Sequence, residues 1–98
     1  LIAGFIFLIL RGLVIALELL AGVAAEEGNA SDAVRWLAAA EKLRQAIGLP
    51  RTPSEERLYY NRAYQLAREA LDQRTWDATW EAASKLSLDE ALAMALAS

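Results

Sequence analysis

Carboxylate side chains are the first candidates for chemistry in this sequence, because two pairs of them are adjacent. The pairs are Glu26 with Glu27, and Glu55 with Glu56. Two carboxylates that face each other can share the work of a general acid and a general base. Neighbouring residues on a helix, however, point about 100° apart. Neither pair is therefore expected to converge as a catalytic dyad.

Other catalytic and cofactor chemistries are excluded by what the sequence lacks. The chain has no histidine and no cysteine, which excludes imidazole catalysis, thiolate chemistry, disulfides and the usual zinc sites. It also has no glycine-rich phosphate-binding loop with an accompanying lysine. The sequence therefore predicts no enzyme activity, no metal site and no cofactor.

Tyrosines and arginines within residues 53–71 are the candidates for binding a partner. Aromatic and basic side chains together can stack on nucleic-acid bases. Three glutamates lie in the same segment, and the whole chain carries a net charge of −3. A solvated face with salt bridges is therefore the better interpretation. The candidate interaction surface consists of Tyr60, Tyr64, Arg57 and Arg68.

Trp76 and Trp80 lie one helical turn apart and allow two interpretations. They could line a ligand groove, or they could fill a small hydrophobic core, since each indole buries a large apolar area. The core is the more common role.

The elements that must position these residues are helices. The chain has 98 residues, of which 56% are hydrophobic, with only two prolines and five glycines. This composition predicts a single all-α domain over residues 1–98. Because the sequence opens on Leu1 and not on methionine, we expect it to be a fragment of a longer chain.

The first 25 residues are apolar enough to raise the question of a membrane anchor. A stretch of this length can span a bilayer, but Arg11 and Glu18 fall near its middle, where charges are costly. The interpretation favoured is a helix covered by neighbours or by a partner chain. If it were left uncovered, the helix would drive oligomerisation. A small membrane-associated protein anchored by residues 1–25 is the alternative.

A helical hairpin is predicted over residues 12–47. The first well-supported helix begins near Gly12, because glycine weakens helices, and it ends near Glu27 at the stop signal Gly28. Asn29 or Ser31 caps the second helix, which runs to about residue 47.

Three further helices are predicted over residues 52–97 as a C-terminal cap. Gly48 and Pro50 stop the second helix, and Thr52 with Pro53 starts the third. A connection this short joins packed elements of one domain. The third helix, 53–71, places Tyr59, Ala63, Leu66 and Ala70 on its inner face; the fourth begins after Asp72; the fifth is capped by Ser87 with Glu90 and has Leu88, Leu92, Ala95 and Leu96 inside.

The hairpin resembles a tetratricopeptide repeat. The pattern Leu17-x-x-Leu20-Ala21-x-x-Ala24 occupies its first helix, and Ala33-x-x-x-Leu37-x-x-Ala40 occupies its second. In such repeats, small residues let two helices approach while large ones fill the gap. Here leucines stand at the two aromatic positions, Ala21 stands at the glycine position, and Gln45 stands at the terminal proline position. The resemblance implies a right-handed superhelical array of about five helices.

The order of cues along residues 13–97 also resembles the C-terminal segment of large bacterial regulators with an NTPase core and a tetratricopeptide tail, including LuxR-type regulators. The cues are "AAEKLR", "IGLPRTPSE", a tyrosine-containing helix, the tryptophan pair and "LSLDEALAMAL". The opening "LIAGFIFLIL" departs from this pattern. The resemblance implies a cytoplasmic, non-catalytic interaction or sensor module in signal transduction, whose NTPase and DNA-binding parts lie upstream.

The expected partners are proteins: the upstream repeats of the parent chain, or a second copy in a homo-oligomer. Contact with a membrane or directly with nucleic acid is not favoured, although binding through the arginines of the third helix stays open as a hypothesis. The residues predicted to determine the packing are Leu17, Leu20, Ala21, Gly28, Ala33, Leu37, Ala40, Gly48, Pro50, Thr52, Pro53, Tyr59, Leu66, Trp76, Trp80 and Leu92.

Overall fold

The computed structural model describes residues 2–87, 89–90, 93 and 97. Within these residues the chain forms helices and no strand, which confirms the all-α prediction. The helices are α1 (Ile2–Glu26), α2 (Ala30–Ile47), α3 (residues 53–70) and α4 (Gln73–Ser84).

The predicted fifth helix lies mostly outside the described residues. Its capping box is present, because the Glu90 amide donates to Ser87 Oγ at 3.1 Å and the Ser87 amide donates to Glu90 Oε1 at 3.0 Å. The inner face predicted for this helix, including Leu92, lies outside the described part of the chain.

The predicted start of the first helix at Gly12 is wrong, because α1 is one continuous helix from residue 2. A glycine inside a helix costs only about 1 kcal/mol relative to alanine. Leucines and isoleucines on both sides support the helix through this position. No side chain or neighbouring backbone lies within 4 Å of where a Cβ on Gly12 would stand, so no close approach requires this glycine.

Two glycines end helices as predicted. Gly28 follows α1 with φ of +83°, and the next amide, that of Asn29, donates to the Ala24 carbonyl at 2.8 Å. Gly48 follows α2 with φ of +67°, and the Leu49 amide donates to the Arg44 carbonyl at 2.9 Å. In both cases the glycine in the left-handed conformation turns the chain so that a later amide donates a hydrogen bond to one of the last carbonyls of the helix. Asn29 is the N-cap residue of α2, although its side chain makes no capping hydrogen bond.

The predicted start of α3 is confirmed. The Glu55 amide donates to Thr52 Oγ1 at 3.1 Å, the Thr52 amide donates to Glu55 Oε1 at 3.1 Å, and Pro53 occupies the first turn. This reciprocal capping box satisfies two amides that the helix itself leaves without partners.

A π-helical turn interrupts α3 and changes which residues face inwards. The helix is α-helical over Pro53–Glu55, π-helical over Glu56–Tyr60 and α-helical again over Asn61–Ala70. The extra residue in a π turn shifts the helical phase. As a result Ala63 and Ala67 share the buried face with Glu55, whereas Ala70 is exposed at the end of the helix. The predicted inner face was therefore wrong at Ala70 and omitted Ala67.

Helix α2 is the centre of the domain, with α1, α3 and α4 packed around it. Small residues on α1 and α2 allow close approach, and leucines fill the remaining space. The fully buried residues at this interface include Val14, Leu17, Ala21, Ala33, Val34, Leu37 and Ala40. Leu20, Tyr59, Leu66 and Trp80 are half-buried, and Trp76 is 7% exposed.

Candidate functional site

The most unusual feature of the interior is a carboxylate, that of Glu18, which has no exposed surface at all. Glu18 lies on the inner stripe of α1, four residues after Val14 and three before Ala21. Helical periodicity therefore points its side chain at α2. An ionised carboxylate in such a position requires charged partners and hydrogen bonds, because its desolvation is costly.

Arg44 of α2 is the first partner of Glu18. Its Nη2 donates to Glu18 Oε1 at 2.7 Å, and its Nε donates to Glu18 Oε2 at 3.3 Å. The same guanidinium reaches Glu55 Oε2 at 3.2 Å through Nη2 and the Leu49 carbonyl at 3.3 Å through Nη1. Arg44 thus connects α1, α2 and α3 with the segment between α2 and α3, residues 48–52, which we call the joint.

Arg51, in the joint between α2 and α3, is the second partner. Its Nη2 and Nε donate to Glu18 Oε2 at 2.6 Å and 2.8 Å, and Nη2 also donates to Glu41 Oε2 at 3.2 Å. The Arg51 Cζ atom lies 3.8 Å from the centre of the Tyr60 ring, a cation–π contact. We call Glu18, Arg44, Arg51 and Glu55 the buried charge cluster.

The buried charge cluster is electrically balanced, with two carboxylates and two guanidinium groups. At its edges, Arg11 lies 3.9 Å from Glu55 and Glu41 contacts Arg51, which adds one charge of each sign. Among the described residues every buried side-chain nitrogen and oxygen has a hydrogen-bond partner. The cluster therefore satisfies the condition under which buried charges are tolerated.

Two pKa values reflect this pairing. Burial alone would lower the pKa of Arg44, but hydrogen bonds and charges from Glu18 and Glu55 outweigh burial and raise it. Burial alone would raise the pKa of Glu55, but hydrogen bonds from Thr52 and Arg44 lower it below its ordinary range. Both groups are therefore held in their charged forms, which suits a structural clamp.

The lowered pKa of Glu55 predicts a loss of stability in acid. The unfolded chain takes up a proton at Glu55 before the folded chain does, so the contribution is complete above about pH 5. It is lost as the pH falls through the unfolded and then the folded pKa. We expect the difference in unfolding free energy between wild type and Glu55→Gln, measured by urea unfolding, to narrow as the pH falls from about pH 5 to about pH 3.

The adjacent, exposed Glu56 provides the control for this titration. Glu56→Gln removes an exposed carboxylate outside the cluster, so it should change the unfolding free energy by no more than about 0.5 kcal/mol. If the unfolding free energies of wild type and Glu55→Gln differ by the same amount at every pH, the pKa of Glu55 is not lowered by the cluster.

A second feature is an aromatic groove between α3 and α4, which we define by Tyr60, Tyr64, Trp76 and Trp80. The Tyr60 and Tyr64 rings stack at 5.5 Å between centroids, Tyr64 meets Trp76 edge to face at 5.2 Å, and Trp76 stacks on Trp80 at 5.9 Å. A cavity of about 480 Å³ opens beside these rings, and Asp77, Glu81 and Ser84 complete its lining.

The predicted interaction surface is only partly gathered in one place. Tyr60 and Tyr64 line the aromatic groove, and Arg68 Cζ lies 4.7 Å from the centre of the Trp76 ring. Arg57 is exposed and does not line the groove. The structure therefore uses two tyrosines and one arginine of this set together.

Sequence reasoning missed the buried charge cluster. It treated Glu18 as a charge unsuited to lipid and Glu55 as a helix cap, and it assigned no role to Arg44 or Arg51. The available signal was periodicity, since Glu18 and Arg44 each fall on the apolar stripe of their own helix. Two opposite charges on facing apolar stripes indicate a buried ion pair.

Known proteins match this chain over most of its length. Over 87 residues, 89% of the chain, it is 39% identical to proteins from Mycobacterium bovis and two strains of Mycobacterium tuberculosis, each named "Putative HTH-type transcriptional regulator". The chain spans about 10% of the length of these curated relatives. No protein-family model matches it, and no solved structure matches it significantly.

Proposed function

We propose that this chain is a non-catalytic, helical protein-interaction segment of a bacterial transcriptional regulator. The observation that carries the proposal is the 39% identity over 87 residues to mycobacterial proteins named as HTH-type regulators. Because the chain spans only 10% of their length, DNA binding would belong to other parts of such a regulator. A cytoplasmic location is part of the proposal.

The contacts of α3 support a role other than direct nucleic-acid binding. Arg62 is paired with Glu26 of α1, and Arg68 donates to Gln73 Oε1 at 2.7 Å. These guanidinium groups already have partners, so they are poorly placed to neutralise phosphates. The net charge of −3 also opposes binding to a polyanion.

The beginning of α1 supports docking of a protein partner. We call residues 2–9 the apolar arm, because its large side chains are exposed, from 39% for Phe7 to 77% for Ile2. The arm is uncharged and apolar around its whole circumference, so its best-matched partner is another surface of the same kind. We propose that a second copy of this chain covers it, in a symmetric pair. Tetratricopeptide-like stacking of the α1–α2 hairpin on neighbouring helices belongs to the same proposal.

A membrane-spanning role for α1 is less favoured by the packing. By length and composition α1 is, within the described residues, the one helix that could cross a bilayer. Its second half, however, contains Val14, Leu17, Glu18 and Ala21, which are buried in the domain. The continuous exposed apolar stretch is residues 2–9, and at 1.5 Å per residue it reaches about 12 Å, less than half of the hydrocarbon thickness.

Sedimentation velocity over a wide range of protein concentration tests the docking proposal. We expect the wild-type chain to form dimers. Phe5→Lys combined with Leu8→Lys should weaken dimerisation about a hundredfold or more, because each ammonium group would be buried without a partner. Circular dichroism should show the same helix content, since both positions are exposed.

Leu58→Lys is the matched control, because Leu58 is also apolar and 69% exposed but lies on α3 outside the arm. It should dimerise like the wild type. A monomeric wild type, or a dimer unaffected by the two lysines, would show that a second copy does not cover the arm. Partition of the wild type into detergent micelles, lost in the lysine variant, would favour membrane association instead.

A further inference from the structure

The aromatic groove has the shape and lining of a small-molecule site. Its cavity of about 480 Å³ falls within the range of pockets that bind small ligands. Tyr64 is 36% exposed, Tyr60 and Trp80 are half-buried, and Trp76 lies beneath them at 7% exposure.

The charges that line the groove are of one sign. Asp77 and Glu81 contribute carboxylates, Ser84 contributes a hydroxyl, and no lysine or arginine lines the groove within the part of the chain that the structure describes. Asp77 Oδ1 accepts a hydrogen bond at 2.7 Å from the uncharged amide of Gln73. Glu81 lies 3.3 Å from Lys85, but both side chains are exposed, so this pair is weak.

Two of the rings already hold one cation each. Arg51 lies over Tyr60 and Arg68 lies over Trp76, at 3.8 Å and 4.7 Å from the ring centres. Neither arginine lines the groove. Aromatic faces attract cations through their quadrupole. Tyr64 stacks on Tyr60 and Trp80 stacks on Trp76, and both rings also line the cavity.

We propose that the aromatic groove binds a small organic cation, a quaternary ammonium compound, between the rings of Tyr64 and Trp80 and beside the carboxylates of Asp77 and Glu81. Weakly hydrated ammonium groups of this kind prefer aromatic surfaces over water more than a primary ammonium does. The carboxylates add charge complementarity without requiring a hydrogen-bond donor on the ligand. This inference goes beyond the proposed function and does not depend on it.

The test is a titration of the isotope-labelled chain with choline, followed by the indole N–H signals in NMR spectra. We expect saturable shifts for Trp76 and Trp80 and none for Trp36, which packs in the core away from the groove. The neutral isostere of choline, in which carbon replaces the ammonium nitrogen, should bind at least about fivefold more weakly because it lacks the cation–π attraction.

Two variants separate the rings from the carboxylates. Trp80→Ala should weaken choline binding about five- to thirtyfold, the range expected for one cation–π contact. Asp77→Asn combined with Glu81→Gln keeps every ring in place and changes only exposed side chains, so it tests the charge even if Trp80→Ala fails to fold. It should weaken binding severalfold, whereas Glu69→Gln, an exposed acid on α3 outside the groove, should leave binding unchanged.

Three results would each overturn the proposal. They are the absence of saturable shifts in the wild type, equal binding of the neutral isostere, and unchanged binding in the Asp77→Asn, Glu81→Gln variant. Sedimentation of the wild-type chain is measured separately, so failure here leaves the dimerisation result unaffected.

Discussion

Replacing Glu18 by alanine is expected to destabilise the fold by about 3–5 kcal/mol. The substitution removes the carboxylate that accepts from both Arg44 and Arg51. Arg44 would then remain buried with Glu55 as its carboxylate partner, while Arg51 would keep its contact with Glu41 at the edge of the cluster. For a domain of this size, whose total stability is on the order of 5–15 kcal/mol, this loss is large enough to populate the unfolded chain.

Urea unfolding followed by circular dichroism measures this effect. Glu27→Ala is the control, because Glu27 is an exposed glutamate in the turn between α1 and α2. Its loss should change the free energy of unfolding by no more than about 0.5 kcal/mol. The double variant Glu18→Leu, Arg44→Leu should recover part of the loss, since it leaves no unpaired charge from that pair. A loss below about 1 kcal/mol for Glu18→Ala would mean that Glu18 is not buried with these partners.

Leu37→Ala is expected to cost about 2–5 kcal/mol, because it opens a cavity in the centre of the domain. Leu37 has no exposed surface and lies in the cluster that joins α1, α2, α3 and Trp76 of α4. Alanines of α1, α2 and α3 lie in the same cluster, and their small side chains cannot fill the space that the Leu37 side chain would leave.

The same substitution at Leu19 provides the matched control. Leu19 lies on α1 and is 49% exposed, so Leu19→Ala should cost no more than about 0.5 kcal/mol. The two variants make the same change, one at a buried position and one at an exposed position. Calorimetry or urea unfolding compares their free energies of unfolding. Equal losses at the two positions would contradict the arrangement in which α2 is the central helix.

The ends of the helices could be predicted from sequence because the signals are local. Gly28 and Gly48 adopt left-handed conformations within one residue of the expected stops, and Thr52 with Glu55 forms its capping box across three residues. Such signals depend on backbone sterics and on hydrogen bonds inside one turn. They do not depend on the rest of the fold.

The buried charge cluster could not be predicted in the same way because its contacts are distant in sequence. Arg44 and Arg51 lie 26 and 33 residues from Glu18. Their pairing requires that α1 and α2 pack in one register and that the joint then folds back over both. Composition alone does not distinguish Arg11 from Glu18, because each is a charged residue within the apolar stretch. In the structure Glu18 is buried and Arg11 is exposed.

The sequence predicts that Trp76 and Trp80 pack in the core or line a groove, but it does not predict how the four aromatic rings are arranged. The structure combines features of both roles. Trp76 is buried, while Trp80 is half-buried and lines the cavity. The contribution of Tyr60 and Tyr64 depends on the helical phase after residue 60, which no periodic pattern in the sequence reveals.

The phase of α3 after residue 60 depends on the extra residue held in the π turn at Glu56–Tyr60. Converting this turn to ordinary α-helix without removing a residue would rotate everything after it by about 100° relative to the capping box. Tyr64 would then turn away from Trp76, although every aromatic residue of the groove would still be present. Deleting one residue in the turn would instead convert it to α-helix with little change of phase, so homologous chains that are one residue shorter here are expected to keep the groove.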